Sequence, residues 1–290
     1  MGTAVSHLVR VWARHGPHRL ALASLWAAAG LAMVGCAVGP TSHPRPTPQP
    51  SPRASPSPSA RNWPQPVGQA MAVVTATTRI PLEAPLELPL AETTPNSARV
   101  VAQANSYQVE LYHCLVALPV NDPAVGSGSC GSMANIYGDF GGTGYATGTA
   151  ARAAVLAANV PPGSRCTERS LAYLQTGLPA TVFSAPGSGP CLVTWREGDW
   201  TITLEGDLGV SAAPDAGSAW PPVAQSVVGY LDHHLLPPDV GSFVLDLAPD
   251  GLHSSLAWAA GDVVYSVGVL HGAVPAAEMA VTMMPFPTAP

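Results

Sequence analysis

Carboxylates, imidazoles and one glycine-rich loop are the groups in this chain whose types and spacing suit chemistry. Glu197, Asp199, Glu205 and Asp262 lie in or near two Trp-x-x-Gly-Asp turns. Two such carboxylates held ~5–10 Å apart across a cleft are what a polymer hydrolase needs. His233 and His234 follow Asp232, and His253 and His271 lie further along; imidazole with carboxylate is a transition-metal donor set. Adjacent histidines on a helix point in different directions, however, and a helix C-terminus favours histidine through its dipole, so no metal is assigned. Gly126-Ser-Gly-Ser-Cys-Gly131 spells G-x-G-x-x-G, a motif that binds dinucleotides only between a strand and a helix. Ser132 to Gly138 does not open a helix, and no cofactor is assigned. Asp139-Phe140-Gly141 copies a kinase tripeptide, but the chain contains no lysine. That absence removes ordinary kinase, Schiff-base and phosphate-cradling chemistry. No G-x-S-x-G elbow occurs, so no catalytic residue is assigned. Trp195, Trp200 and Trp258 have the rings to stack a sugar, although at hairpin positions such rings serve as core or cross-strand packing.

Four of the five cysteines, Cys114, Cys130, Cys166 and Cys191, fall in the body of the chain. An even set reads as two disulfides formed in an oxidising compartment. Three pairings are open. The local one, Cys114 with Cys130 and Cys166 with Cys191, is favoured because each bridge brackets a loop-rich segment. A zinc site is the rival, but no C-x-x-C spacing occurs.

These groups require a scaffold of short strands and few helices. Ile80 to Leu90, IPLEAPLELPL, is barred from helix by its prolines and reads as an extended edge segment. Arg99–Gln103 and Tyr107–Cys114 form a hairpin candidate, with Tyr107, Val109, Leu111 and His113 on one face. Asn121 to Gly144 reads as a long loop or several turns. Thr149 to Asn159 is an Ala-rich helix with Thr149 as its cap. A meander follows: Ser170–Gln175, Thr181–Ser184, Cys191–Trp195 and Trp200–Leu204, with Glu197-Gly198-Asp199 as a turn. Pro221 to Leu236 reads as a helix capped by Ser218, with Val223, Val227, Val228 and Leu231 as its apolar stripe. Then come strands Phe243–Leu247, Ser255–Ala259 and Val263–Val269, and a closing helix Pro275–Met284. Trp195 to Ile202 and Trp258 to Tyr265 share W-x-x-G-D followed by alternating apolar residues, an internal repeat of hairpin plus helix. The expected fold class is α+β: a mainly antiparallel sheet built from repeated hairpin-helix units, with helices packed on the sheet.

The N-terminus reads as an export signal. Arg10, Arg14 and Arg19 precede the uncharged run Leu20–Gly35, which ends in small residues before Cys36. Met33-Val34-Gly35-Cys36 resembles the lipobox of bacterial lipoproteins. That resemblance implies that the Cys36 thiol receives a diacylglyceryl group and that Cys36, lipidated and palmitate-bearing, becomes the mature N-terminus. An uncleaved anchor helix over residues 21–39 is the alternative, and both place the rest of the chain outside the membrane. Residues 1–35 are then a signal peptide, and residues 36–68 a Pro/Ser-rich tether inclined to polyproline II. Residues 69–290 are an extracytoplasmic domain, with 69–236 and 237–290 as candidate sub-units. The Trp hairpin, the strand ending in Tyr-x-Val and the helix bearing Ala277-Glu278-Met279-Ala280 resemble the C-terminal part of uncharacterised extracytoplasmic domains of the DUF4367 type, which implies an α+β domain on the cell exterior.

From Glu83 onward the chain carries 18 acids against five arginines, a net charge near −13. A body so acidic repels phosphate backbones, which argues against nucleic acid as a partner. The sequence thus points to a cell-membrane, lipid-anchored protein acting as a non-enzymatic binding or interaction module. Its partners would be the membrane, through the lipid, and a cell-envelope component or protein. A cell-envelope polymer-processing hydrolase is the alternative.

Overall fold

The computed structural model describes residues 62–89, 94–130, 136–159, 166–174, 177–206, 208, 220–248 and 251–287. The residues read as signal peptide, as lipobox (Met33–Cys36) and, as far as Arg61, as tether lie outside the described residues, as do Gly131–Asn135 and Ser218. The described residues fall in one compact unit.

That unit is α+β, with helices on a ten-stranded sheet that is antiparallel except at one junction. In chain order its elements are α1 (Gln65–Thr75), β1 (Glu83–Pro85), β2 (Ser97–Gln103), β3 (Ser106–Tyr112), β4 (Ile136–Gly144), α2 (Gly148–Ala157), β5 (Glu168–Tyr173), β6 (Pro179–Ser184), β7 (Pro190–Glu197), β8 (Trp200–Gly206), α3 (Trp220–Leu231), β9 (Gly241–Ala248), β10 (Gly251–Ala260), β11 (Val263–Val269), α4 (Pro275–Val281) and β12 (Met283–Pro285). The large sheet runs β2-β3-β4-β11-β10-β9-β8-β7-β6-β5. Its one parallel pair is β8 with β9, the two strands that α3 connects, as expected because a parallel pair needs a long crossover.

Both Trp hairpins form with the same register. Trp195 pairs with Ile202 and Trp258 with Tyr265, seven residues on in each case. The turn glycines match as well: Gly198 and Gly261 have φ of 58° and 62°, the left-handed region that only glycine enters without steric penalty. The indoles belong to the core. Trp195, Trp200 and Trp258 are 2, 4 and 2% exposed, and Trp258 contacts Trp200 and Tyr265 at centroid distances of 6.4 and 5.9 Å.

The main core lies between one face of the sheet and three helices. α1 buries Val67, Ala70, Met71 and Val74, the i, i+3, i+4, i+7 stripe of an amphipathic helix. It takes in Gln65–Gly68, residues that composition assigns to the tether. α3 adds Ala224, Val227 and Val228, and α4 adds Ala276, Ala277, Met279 and Ala280. α2 packs on the opposite face, where Ala151 and Val155 meet Ala259. Its N-cap is Thr147, not Thr149: Thr147 is extended, and its side chain accepts from Ala150 N at 3.2 Å. The closing helix stops at Val281, short of Met284, because Met283–Pro285 pairs with β1 instead.

The largest departure from the sequence reading is β4, which lies inside the stretch expected to be loop. Its glycines conceal a central strand. A Cβ on Gly138 would come within 2.3 Å of Gly268 O, one on Gly141 within 2.4 Å of Tyr107 O, and one on Gly142 within 2.7 Å of the Tyr107 ring. The backbones and the Tyr107 ring approach so closely that only glycine fits, which lowers local strand propensity while favouring this packing.

The proline-rich segment after α1 is held in an unusual way. Prolines remove N–H donors, so such a segment is best bound through its carbonyls. Three tyrosines supply the protons: Tyr265 Oη donates to Pro81 O (3.1 Å), Tyr107 Oη to Glu83 O (2.7 Å) and Tyr137 Oη to Pro89 O (2.5 Å). β12 closes over it, with Glu83 opposite Pro285 and Pro85 opposite Met283.

Candidate functional site

Cross-strand partners share a face of a sheet, so the register identifies what faces away from the main core. One row crosses all ten strands: Leu171, Thr181, Thr194, Thr203, Val244, Ser255, Gly268, Asp139, Glu110 and Arg99. A second row runs beside it through Arg169, Phe183, Leu192, Glu205, Asp246 and His253. This polar face carries hydroxyls in its middle and a charged cluster towards β2.

The cluster is joined by hydrogen bonds between its side chains. Arg99 Nε donates to Glu110 Oε2 at 2.7 Å, and its Nη2 lies 2.5 Å from the same oxygen. Tyr112 Oη donates to that oxygen too, at 2.7 Å. Gln108 Nε2 donates to Asp139 Oδ2 at 2.8 Å. Asp139 fits because the residue opposite it is Gly268: a Cβ there would meet Asp139 Oδ1 at 2.3 Å. Burial pushes the Asp139 carboxyl up to about 6, and the neighbouring Glu110 charge adds to the rise against the hydrogen bond from Gln108. Burial also raises the Tyr112 phenol, and its Glu110 partner raises it further.

A loop stands against this cluster. Tyr112 packs with Val125 and with Cys114 and Cys130, which are bonded to each other with Cα atoms 4.8 Å apart. Gly126–Cys130, the described part of the glycine-rich motif, therefore belongs to a disulfide loop containing a short 3-10 turn over Gly128–Cys130. The second bridge joins Cys166 to Cys191, Cα atoms 6.2 Å apart, tying the entry of β5 to β7.

The other sequence candidates are dispersed. Glu197 and Asp199 flank the β7–β8 turn, and Asp262 sits in the β10–β11 turn. Burial raises the Glu197 carboxyl, with Asp232 adding to the effect. Glu205 stands apart from them, on β8 beside Asp246. His233 and His234 follow the end of α3 and are exposed; His234 stacks on Tyr230 at 4.1 Å and contacts Tyr230 O at 3.0 Å. His113 leaves the core face and meets Thr94 O at 2.8 Å. Among the described residues, no three His, Cys, Asp or Glu side chains are grouped to hold a metal ion, and no helix is long and apolar enough to cross a membrane.

Sequence reasoning passed over Arg99, Gln108, Glu110, Tyr112 and Asp139. The signal was present on β3, where Gln108, Glu110 and Tyr112 alternate with the core residues Val109 and Leu111. Asp139 was concealed by its glycine neighbours. No protein-family model, no curated protein and no solved structure matches the chain.

Proposed function

We propose that this protein is a lipoprotein anchored through Cys36 on the outer side of a cell membrane, its body a non-enzymatic module that binds a polar cell-envelope component through the β2–β10 polar face. The observation carrying this reading is the saturated cluster of Arg99, Gln108, Glu110, Tyr112 and Asp139 beside the hydroxyl row. Groups fixed on strands and bonded to one another present donors and acceptors in set positions, which suits recognition. The lipobox and the two disulfides support the location. The matching registers of the two Trp hairpins, each followed by a helix, support a repeated hairpin-helix unit as the origin of the fold.

The test uses the full chain and isolated insoluble cell wall. The wild type should sediment with the wall without releasing soluble fragments, and Arg99→Ala/Glu110→Ala should weaken binding about tenfold, the loss of one charge-assisted contact. Wall binding unchanged in that double variant would sink the assignment of this face. One observation favours the hydrolase reading: Asp139, its carboxyl pushed up to about 6, stands directly opposite Glu110. Fragment release by wild type that Asp139→Asn abolishes would select it. Anchoring is separately testable, since Cys36→Ser should leave an unprocessed, unacylated precursor.

A further inference from the structure

Among the described residues, no strand pairs with the outer edge of β5, the last strand of the sheet. It spans six residues, Glu-Arg-Ser-Leu-Ala-Tyr, without proline or glycine, and pairs with β6 without a register shift. Short strands, prolines, bulges and covering loops are the usual protections of a sheet edge. Among the described residues no hydrogen bond reaches the outer side of β5. The apolar side chains there are open: Leu171 is 62% exposed and Tyr173 68%.

We infer that β5 pairs antiparallel with β5 of a second copy of this chain, about a two-fold axis at Leu171, to continue the sheet across the dimer. The sequence of the strand is self-complementary in that register. Arg169, Leu171 and Tyr173 alternate along the strand and so share one face. Pairing about Leu171 sets Leu171 against Leu171 of the second copy and each Arg169 against the other copy's Tyr173, a cation–π and apolar combination. Such an axis keeps like faces together, as an isologous contact requires. Charge favours the same place. Two bodies each near −13 repel one another, but Glu168 and Arg169 balance on this strand, and Arg169 is one of the five arginines beyond Glu83. The Cys166–Cys191 bond, two residues before β5, fixes the edge in advance, so little ordering remains for the partner to impose.

The inference does not depend on what the polar face binds. It is tested with the full chain in its host membrane by placing single cysteines on the strand. Opposed residues in an antiparallel pair have Cα atoms ~4.5–5.5 Å apart, within disulfide reach. Leu171→Cys should form a reducible dimer of twice the chain mass, about tenfold more abundant than any from Val101→Cys. Val101 is 57% exposed on β2, the opposite edge, so it controls for chance collision. Arg169→Cys and Tyr173→Cys should cross-link when expressed together and not singly, which reads the register. Leu171→Lys should abolish the dimer while both native disulfides still form. Equal cross-linking at positions 171 and 101, no dimer from Leu171→Cys, or its capture by a different protein would each overturn the inference.

Discussion

The two edges of the large sheet receive opposite treatment. At β2 the loop closed by Cys114–Cys130 folds back on the outer strand: Asn121 N donates to Ala98 O at 3.1 Å, Val100 N donates to Asn121 Oδ1 at 2.7 Å, and Leu118 N donates to Ser97 Oγ at 2.9 Å. Arg79 N donates to Ala104 O just beyond the strand. Asn121 manages this double contact with a positive φ of 63°, a conformation Asn tolerates better than most residues. At β5 no such loop intervenes among the described residues, and the second disulfide joins the entry of the strand to β7. Two bridges of similar span, 16 and 25 residues, therefore perform different tasks. One pins a cover over an edge, whereas the other stiffens an edge that no described residue covers. A disulfide's role thus depends on which side of a strand it reaches, and loop length alone does not reveal it.

The strongest way to break the contrast is Cys114→Ser/Cys130→Ser. Loop-closure entropy predicts a loss of about 3 kcal/mol, measurable as a lower urea midpoint for the whole chain. Freeing the cover should also let β2 associate, so concentration-dependent sedimentation should appear even with Leu171→Lys in place. Cys166→Ser/Cys191→Ser should destabilise by a similar amount and uncover nothing at β2.

Asn121→Gly is a finer cut. Glycine keeps the backbone conformation but removes Oδ1, leaving Val100 N without its partner; a loss of about 1–2 kcal/mol is expected, by the same urea measurement.

The folded Asp139 carboxyl titrates near 6, above the ordinary range for an unfolded chain. A group raised on folding stabilises fully below its unfolded pKa and loses that contribution as pH rises through its folded pKa. Wild-type stability should therefore fall relative to Asp139→Asn between about pH 4 and pH 6.5. After discounting for solvent screening at a half-buried site, the difference is about 1 kcal/mol. A flat difference across that window would show that the carboxyl is not burdened by burial.

The smallest effect on stability belongs to Leu171→Lys and Val101→Lys, each within about 0.5 kcal/mol of wild type because both sites are exposed. Only the first should change the association state.

Local signals in the sequence reached as far as the hairpins. W-x-x-G-D marked both Trp turns, since glycine is the residue that enters the left-handed region, and the alternation of Tyr107, Val109 and Leu111 marked the core face of β3. The bridges join the cysteines nearest in sequence. Which strands become neighbours was not legible. β4 sits between β3 and β11, and β8 meets β9 in parallel; these pairings join distant segments, and nothing in one strand's pattern names its partner. β4 was read as loop because the glycines that permit its close packing are the residues that signal turns elsewhere. The charged cluster is illegible in the sequence for a different reason. Its members come from β2, β3 and β4, and only the register brings them together.

The tyrosine-held strap has a consequence for the order of assembly. Glu83 lies opposite Pro285, so β1 waits for a partner strand about two hundred residues further along the chain. A growing polypeptide presents its N-terminal part first, and contacts between distant residues slow the search for the native state. The β1–β12 clasp therefore closes only after Met283–Pro285 have been made. Until then α1 and the proline-rich segment are without their final partner, and the unfinished body stays open to whatever helps or harms an incomplete protein.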